Sequence, residues 1–502
     1  MKYIRAWIAA ALSAAAVVEF VFWGGPGIGI TLLFLTLTGC YYIACGFPKG
    51  GKIRIAEHII LLVMTTSLAL TYSLFANQSL RVLNFPVLGL LLGVLFLNGS
   101  LGDKIAFDRP LFHAELFVSY FARPFLAITK PWTEAGELKK SAHTDPEAGE
   151  KSKQTQSVLL QVLLALLIAI PLLALLTVLL AASDPVFGKI LEPIAHLLDN
   201  FRFSTLFGKV IVFVFLLPFV ASAVWSYRNK MTLIPITEPS SSRPNFAATA
   251  VFSVTILALV DVLYFLYDAV QFLYLFGGMR GNLPDGLTYA EYARNGFFEL
   301  AFVSFINVGL LLLGIKLTSR KGAMGLATRI LSCLLMLLAS VQMVSAFSRM
   351  NLYIQVYGLT ILRYFVVAFM ILLAVYFAVL LVKEFVPKFP IFRVMFCGGV
   401  LALILLNFSM PDARIAQYNV DHYLSGEIHQ IDIDYISENL SGDAKVYVLE
   451  NRGALLDADP SLGMDLAVME DSMIGSSVSI SAQFWKHANL TDENTHNYTN
   501  WE

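Results

Sequence analysis

The sequence predicts an all-α integral membrane protein of about eleven transmembrane helices, with its N-terminus inside and a small acidic, mixed or helical C-terminal segment outside. Three observations predict it. Of the 502 residues, 57% are hydrophobic and 14% charged, and the mean hydropathy is +0.69, outside the range of soluble domains. The apolar residues are gathered into continuous runs close to the ~20 residues that cross about 30 Å of hydrocarbon. Runs of this kind, rather than alternating segments, exclude a β-barrel. Finally, Lys and Arg are concentrated in alternate connections between those runs, as expected if basic loops resist translocation.

The runs fall, in order, at residues 6–23, 27–46, 57–76, 83–98, 157–181, 204–226, 246–276, 296–316, 327–347, 361–382 and 391–409. The first follows Lys2 and Arg5 and contains Ser13-Ala-Ala-Ala16, which resembles a cleavable leader. It continues apolar to Trp23, however, and is read as a retained span. The third opens on Glu57-His58 and the fourth is short, so this pair carries the weakest span signal. With the N-terminus inside, the inner connections hold 22 Lys and Arg and the outer ones 6. An odd number of spans then leaves the tail outside.

Four regions follow. Residues 1–98 form a four-helix membrane region. Residues 99–156 are an inner connection: 105–128 mix aromatic with basic residues, as an interfacial helix does, and the charged stretch after Lys130 reads as a solvated linker. Residues 157–409 supply seven further spans. Residues 410–502 form the acidic tail, with 16 Asp and Glu against 4 Lys and Arg. Within it Ile433, Ile436 and Leu440 share a helical face, Lys445-Val-Tyr-Val-Leu449 suits a short strand, and the last dozen residues read as disordered.

Most motif matches dissolve on inspection. Gly46-Phe-Pro-Lys-Gly-Gly51-Lys52 mimics a phosphate-binding loop, but Ile53 stands where a hydroxyl residue is needed. Asp432-Ile-Asp434 opens like a calcium loop, yet Ile436 and Ser437 follow where an oxygen ligand and a glycine belong. The eight histidines lack zinc spacing, and no nucleophile–base constellation is visible. No catalytic residue, metal, cofactor or nucleic-acid partner is therefore read from the sequence. The four cysteines lie in apolar runs, which argues against a disulfide framework. Gly89-Leu-Leu-Leu-Gly93 reads as a place where another element packs closely.

The intramembrane charges carry the functional signal. Asp261, Tyr264, Asp268 and Gln271 recur on one helical face. Entering near Phe246 and rising 1.5 Å per residue, Asp261 sits about 22 Å across, in the outer half. Arg294 and Glu299 fall at the outer end of the next run, Arg349 and Tyr353 after the following one, and Arg363 opens the run after that. Asp261, Asp268, Arg294, Glu299, Arg349, Tyr353 and Arg363 thus form the candidate ligand or ion-pair cluster. Ionisable groups at such depth are costly unless paired or hydrated, which marks them as functional candidates. The competing reading is structural: charges at helix ends snorkel to the interface, and acid–base pairs fix helix register.

Two stretches near these charges, Ala293-Arg-Asn-Gly-Phe-Phe-Glu-Leu300 and Ser345 to Arg363, resemble the signature segments of a bacterial multi-pass membrane family, the "domain of unknown function" 4173, close to 4153. Asn419-Val-Asp-His-Tyr-Leu424, Ile431 to Ile436 and Leu440 to Ala444 resemble the segment after the last span of that family. The resemblance covers mainly residues 250–445 and implies a bacterial inner-membrane protein of unestablished activity, without catalytic residues. Two functions stay open beside it: a lipid-embedded protein that binds or moves a small or lipid-like ligand through an outer-leaflet polar pocket, and a non-transporting envelope sensor or assembly partner whose tail contacts another protein. A membrane-embedded transferase would need Asp261 or Glu299 as its acid or base.

Overall fold

The computed structural model describes residues 2–22, 27–134, 205–235, 246–278, 297–317, 322–386 and 388–478. Among the described residues there is no strand, and nine helices are long and apolar enough to cross a membrane. The expected run at 157–181, the linker beyond residue 134, the connection at 279–296 and the final residues lie outside them.

Helix α1 (Lys2–Val17) continues into a π-helical turn, Val18–Phe22. It is followed by α2 (Ile28–Cys45), α3 (Lys52–Leu74), α4 (Gln78–Leu101), α5 (Pro110–Leu126) and α6 (Thr205–Arg228). Then come α7 (Phe246–Gly278), α8 (Phe297–Leu317), α9 (Gly322–Tyr357), α10 (Ile361–Phe385) and α11 (Ile391–Phe408). The fourth span is longer than expected because Asn77 caps it, its Oδ1 accepting from the Leu80 amide at 2.7 Å. Within α8 the stretch Phe302–Leu312 is apolar.

The helices form two groups. In the first, α1 packs on α2 and α6, α3 on α2 and α4, and α5 on α6 and α4. Leu68, Leu88, Leu91, Leu95 and Phe112 fill its core. In the second, α9 is the hub against which α7, α8 and α10 pack. The last span, α11, joins the groups, because it touches α10 but also packs back onto α3 and α4.

Polar locks fix that return. Arg393 of α11 pairs with Glu57 at 2.5 Å and Asp108 at 2.6 Å. Farther along, Asn84 and Asn407 exchange hydrogen bonds through their amides at 2.7 and 3.2 Å. Inside an apolar bundle such a pair satisfies two groups that neither lipid nor hydrocarbon side chains can. The turn Gly46–Gly51, which mimicked a phosphate loop, is a plain α2–α3 connection on the Arg393 side, where Arg54 donates to the Lys49 carbonyl at 3.0 Å.

Helix α5 corresponds to the expected interfacial segment. Phe117, Phe121 and Phe125 form an exposed stripe at four-residue spacing, suited to lipid. The helix is also tied to its neighbours. Tyr120 donates to the Gly89 carbonyl at 2.6 Å, and a Cβ on Gly93 would overlap the Tyr120 hydroxyl. The small-residue pair of α4 therefore receives a tyrosine of α5.

The tail is helical: α12 (Pro411–Leu424), α13 (Ile433–Asn439), α14 (Gly442–Glu450), α15 (Arg452–Ala458) and, after a 3₁₀ turn, α16 (Gly463–Val478). The strand expected at 445–449 is corrected to helix. Ala444 and Val448, four residues apart, are the positions α14 buries, so tertiary packing on a helical period overrides the β-branched content. Ile433, Ile436 and Leu440 are buried together as expected. Asp432, which opened the calcium-like motif, is the N-cap of α13, accepting from the Tyr435 amide at 2.8 Å. The tail core runs without a break into Ala346, Met350 and Ile354 of α9 and Met370 of α10, which explains why α9 extends past its expected end.

Asp412 fastens the tail to the first group. One carboxyl oxygen accepts from the Asn77 amide at 2.6 Å and the other from the Ser441 backbone amide at 3.1 Å. Burial nevertheless pushes its pKa above the usual carboxylate value, against the opposing effect of those donors. A raised folded-state value means the folded chain binds more protons than the unfolded one, so stability falls as pH rises from the ordinary carboxylate value through the raised one. Thermal unfolding in detergent is expected to show that decline in the wild type. In Asp412→Asn the decline should flatten.

Candidate functional site

The deepest ionisable groups lie along a seam between α7, α8 and α9. Lipid-facing Leu259, Val262, Leu263, Phe265 and Leu266 cover the outside of α7. Ser253, Leu257, Asp261 and Asp268, spaced by helical turns, turn inward and are buried. Asp261 is 3% exposed and Asp268 8%, so neither can be hydrated by bulk water. Asp261 lies within the apolar stretch Val251–Val270 of α7.

None of the four carboxyl oxygens of Asp261 and Asp268 has a hydrogen-bond partner among the described residues. Neither carboxyl forms a salt bridge with a described residue. From α8 comes Asn307, fully buried, whose Oδ1 accepts from the Tyr264 hydroxyl at 2.7 Å while its Nδ2 remains unpartnered. From α9 comes Gln342, also buried, whose amide approaches Asp268 without completing a hydrogen bond. Buried polar groups are nearly always paired, and each exception needs a reason. Here two carboxyls and an amide nitrogen are exceptions in one seam.

The remaining predicted residues divide. Arg349 is buried on α9, one and two turns beyond Ser345 and Gln342 on the same face. Tyr353 and Arg363 belong to the α9–α10 turn instead. The Arg363 guanidinium lies 4.1 Å from the Tyr353 ring centroid and donates to the carbonyls of Tyr357, at 3.0 Å, and Gly358, closing the end of α9. Gly358 has φ +74°, a left-handed conformation that suits glycine. Asn419 of the tail clamps the same turn, donating to the Leu359 carbonyl at 2.8 Å and accepting from its amide at 2.6 Å. Arg294 lies outside the described residues, and of Glu299 only the backbone, in α8, is described. Asp261, Asp268 and Arg349 therefore border the seam, whereas Tyr353 and Arg363 serve the turn.

Asn307 and Gln342 were not singled out in the sequence, where charge served as the filter. Each is an amide inside an apolar run, and that was the available signal. Glu19, another intramembrane charge visible in the sequence, is paired with Lys209 of α6 at 2.5 Å, which accounts for both.

Residues 62–451 match a family described as a domain of unknown function, DUF4153. The chain belongs to this family. The DUF4153 match begins within α3 and ends just after α14, so it takes in the seam, the α9–α10 turn and most of the tail helices. It is wider than the stretch, residues 250–445, that carried the resemblance. No curated protein and no solved structure matches the chain.

Proposed function

We propose that this DUF4153 member binds, and moves, a small or lipid-like ligand bearing a positively charged or hydrogen-donating group, through the polar seam of α7, α8 and α9. The observation that carries the reading is the pair of buried carboxyls, Asp261 and Asp268, without hydrogen-bond partners among the described residues. Burying such groups unpaired costs stability, so a cationic or donor group passing between α7 and α9 is what they suit. An ion pair that merely fixed helix register would present its partner. In this reading eleven spans cross the inner membrane of a bacterium, with the N-terminus in the cytoplasm and the tail outside.

Mass spectrometry of small molecules and lipids that copurify with the full-length protein tests the ligand. A species bound to the wild type is expected to be absent from Asp261→Asn purified in equal amount. An identical set from both proteins would sink the reading. Sidedness is read separately, by placing single cysteines at Ser476 and Ser141 and treating intact cells with a membrane-impermeant thiol reagent. Labelling at Ser476→Cys and none at Ser141→Cys is expected; the opposite pattern inverts the topology.

A further inference from the structure

The seam poses a charge problem in the absence of ligand. A carboxylate transferred from water to an apolar interior without a counter-charge is so costly that it neutralises instead. Every element packed against α7 must be asked for such a counter-charge. From α8 the described polar side chains are Ser304 and Asn307, both uncharged. From α9 the buried polar side chains are Thr328, Ser332, Gln342, Ser345 and Arg349. Gln342 approaches Asp268, and the backbone of Arg349, seven residues farther along α9, stands about 10 Å beyond that of Gln342 along the axis; neither Asp268 oxygen has a hydrogen-bond partner among the described residues, Arg349 included. Asp261 is two turns farther still from it. Arg329 and Glu384 act near Cys333 instead. On α7 itself Tyr264 lies between the two carboxyls and is the titratable group beside both.

We propose that Asp261 and Asp268 are a proton-carrying pair: each carboxyl holds a proton in the ligand-free protein, and one of the two protons is released as a positive group of the ligand enters the seam. This rests on the ligand reading above and names the ion that accompanies it. One proton leaves for each positive charge that arrives, so the seam stays near neutrality throughout. The neutral carboxyl is itself a hydrogen-bond donor and acceptor. Tyr264, bonded to Asn307, stands one turn from either carboxyl, where a hydroxyl can bridge two sites that lie about 10 Å apart along the helix. A bound metal cation is the competing way to neutralise the pair.

Infrared spectra of the purified full-length protein decide between these, because the carbonyl stretch of a protonated carboxyl is well separated from the bands of a carboxylate. At neutral pH the wild type is expected to show a protonated-carboxyl component that Asp261→Asn lacks, and that survives addition of sodium or potassium. Identical wild-type and variant spectra in that region, or loss of the component on adding either cation, would overturn the proposal. A second measurement needs no variant. Dicyclohexylcarbodiimide, an apolar reagent for protonated carboxyls, is expected to modify Asp261 of the wild type, with a yield that falls as pH rises; modification that spares Asp261 counts against the pair. The two readings fail separately. If the infrared component is missing but Asp261→Asn still loses the copurifying ligand, the proton assignment falls and the ligand site stands; if the component is present and the variant keeps the ligand, the reverse holds.

Discussion

Replacing Glu115 or Arg123 by alanine is expected to destabilise the protein by about 3–5 kcal/mol, the range for removing one member of a buried ion pair. The two side chains are 0% and 1% exposed and meet at 2.7 Å. Each is also fully engaged elsewhere. Arg123 donates to Ser119 at 2.8 Å and to Ser226 of α6 at 2.7 Å, and its guanidinium lies 4.6 Å from the Tyr227 ring centroid. Glu115 accepts from the backbone amides of Leu233 and Ile234, at distances between 2.9 and 3.1 Å. Truncating either residue leaves its partner charged, buried and unpaired. Joint replacement by apolar residues should cost less than either single change, because no orphan charge remains. Thermal unfolding of the three proteins in detergent checks the ordering, with the double variant nearest to the wild type.

Asp261→Asn is the second large effect and should show the opposite signature: function lost, stability kept. The carboxyl has no described partner to lose, and asparagine occupies nearly the same volume without a titratable group. The substitution exchanges one neutral buried polar group for another of the same size and creates no buried charge, so stability is kept, whereas function at such a site depends on the proton that only the carboxyl can release. A residue that held α7 to α9 would instead lower abundance and stability together.

The contrast between these two sites also shows what was legible in the sequence. Nine of the expected spans were, because a run of apolar residues long enough to cross hydrocarbon rarely serves any purpose but crossing it. Asp261 and Asp268 were visible because a carboxyl in such a run stands out against its neighbours. Glu115 and Arg123 were not. In a segment of mixed aromatic and basic residues nothing marks them as a buried pair, and only the fold reveals that the aromatic stripe Phe117, Phe121 and Phe125 is the outward side. Asn77 and Asp412, or Asn84 and Asn407, are joined across more than 300 positions, a separation at which a single sequence holds no pairing signal. Arg363 could be grouped with the carboxyls on depth alone, but its guanidinium is committed to the α9–α10 turn, since a helix end presents carbonyls that need donors. The short strand was misread because β-branched content was weighed without the packing period that α14 satisfies.

Whether the α7 carboxyls act on a ligand or hold the helices in register is decided by the thermal midpoint of Asp261→Asn against wild type, measured on detergent-purified protein at neutral pH. A midpoint equal to or above that of the wild type is expected, in a protein made at normal abundance. A midpoint depressed as far as that of Arg123→Ala would contradict the ligand role and make Asp261 a structural residue.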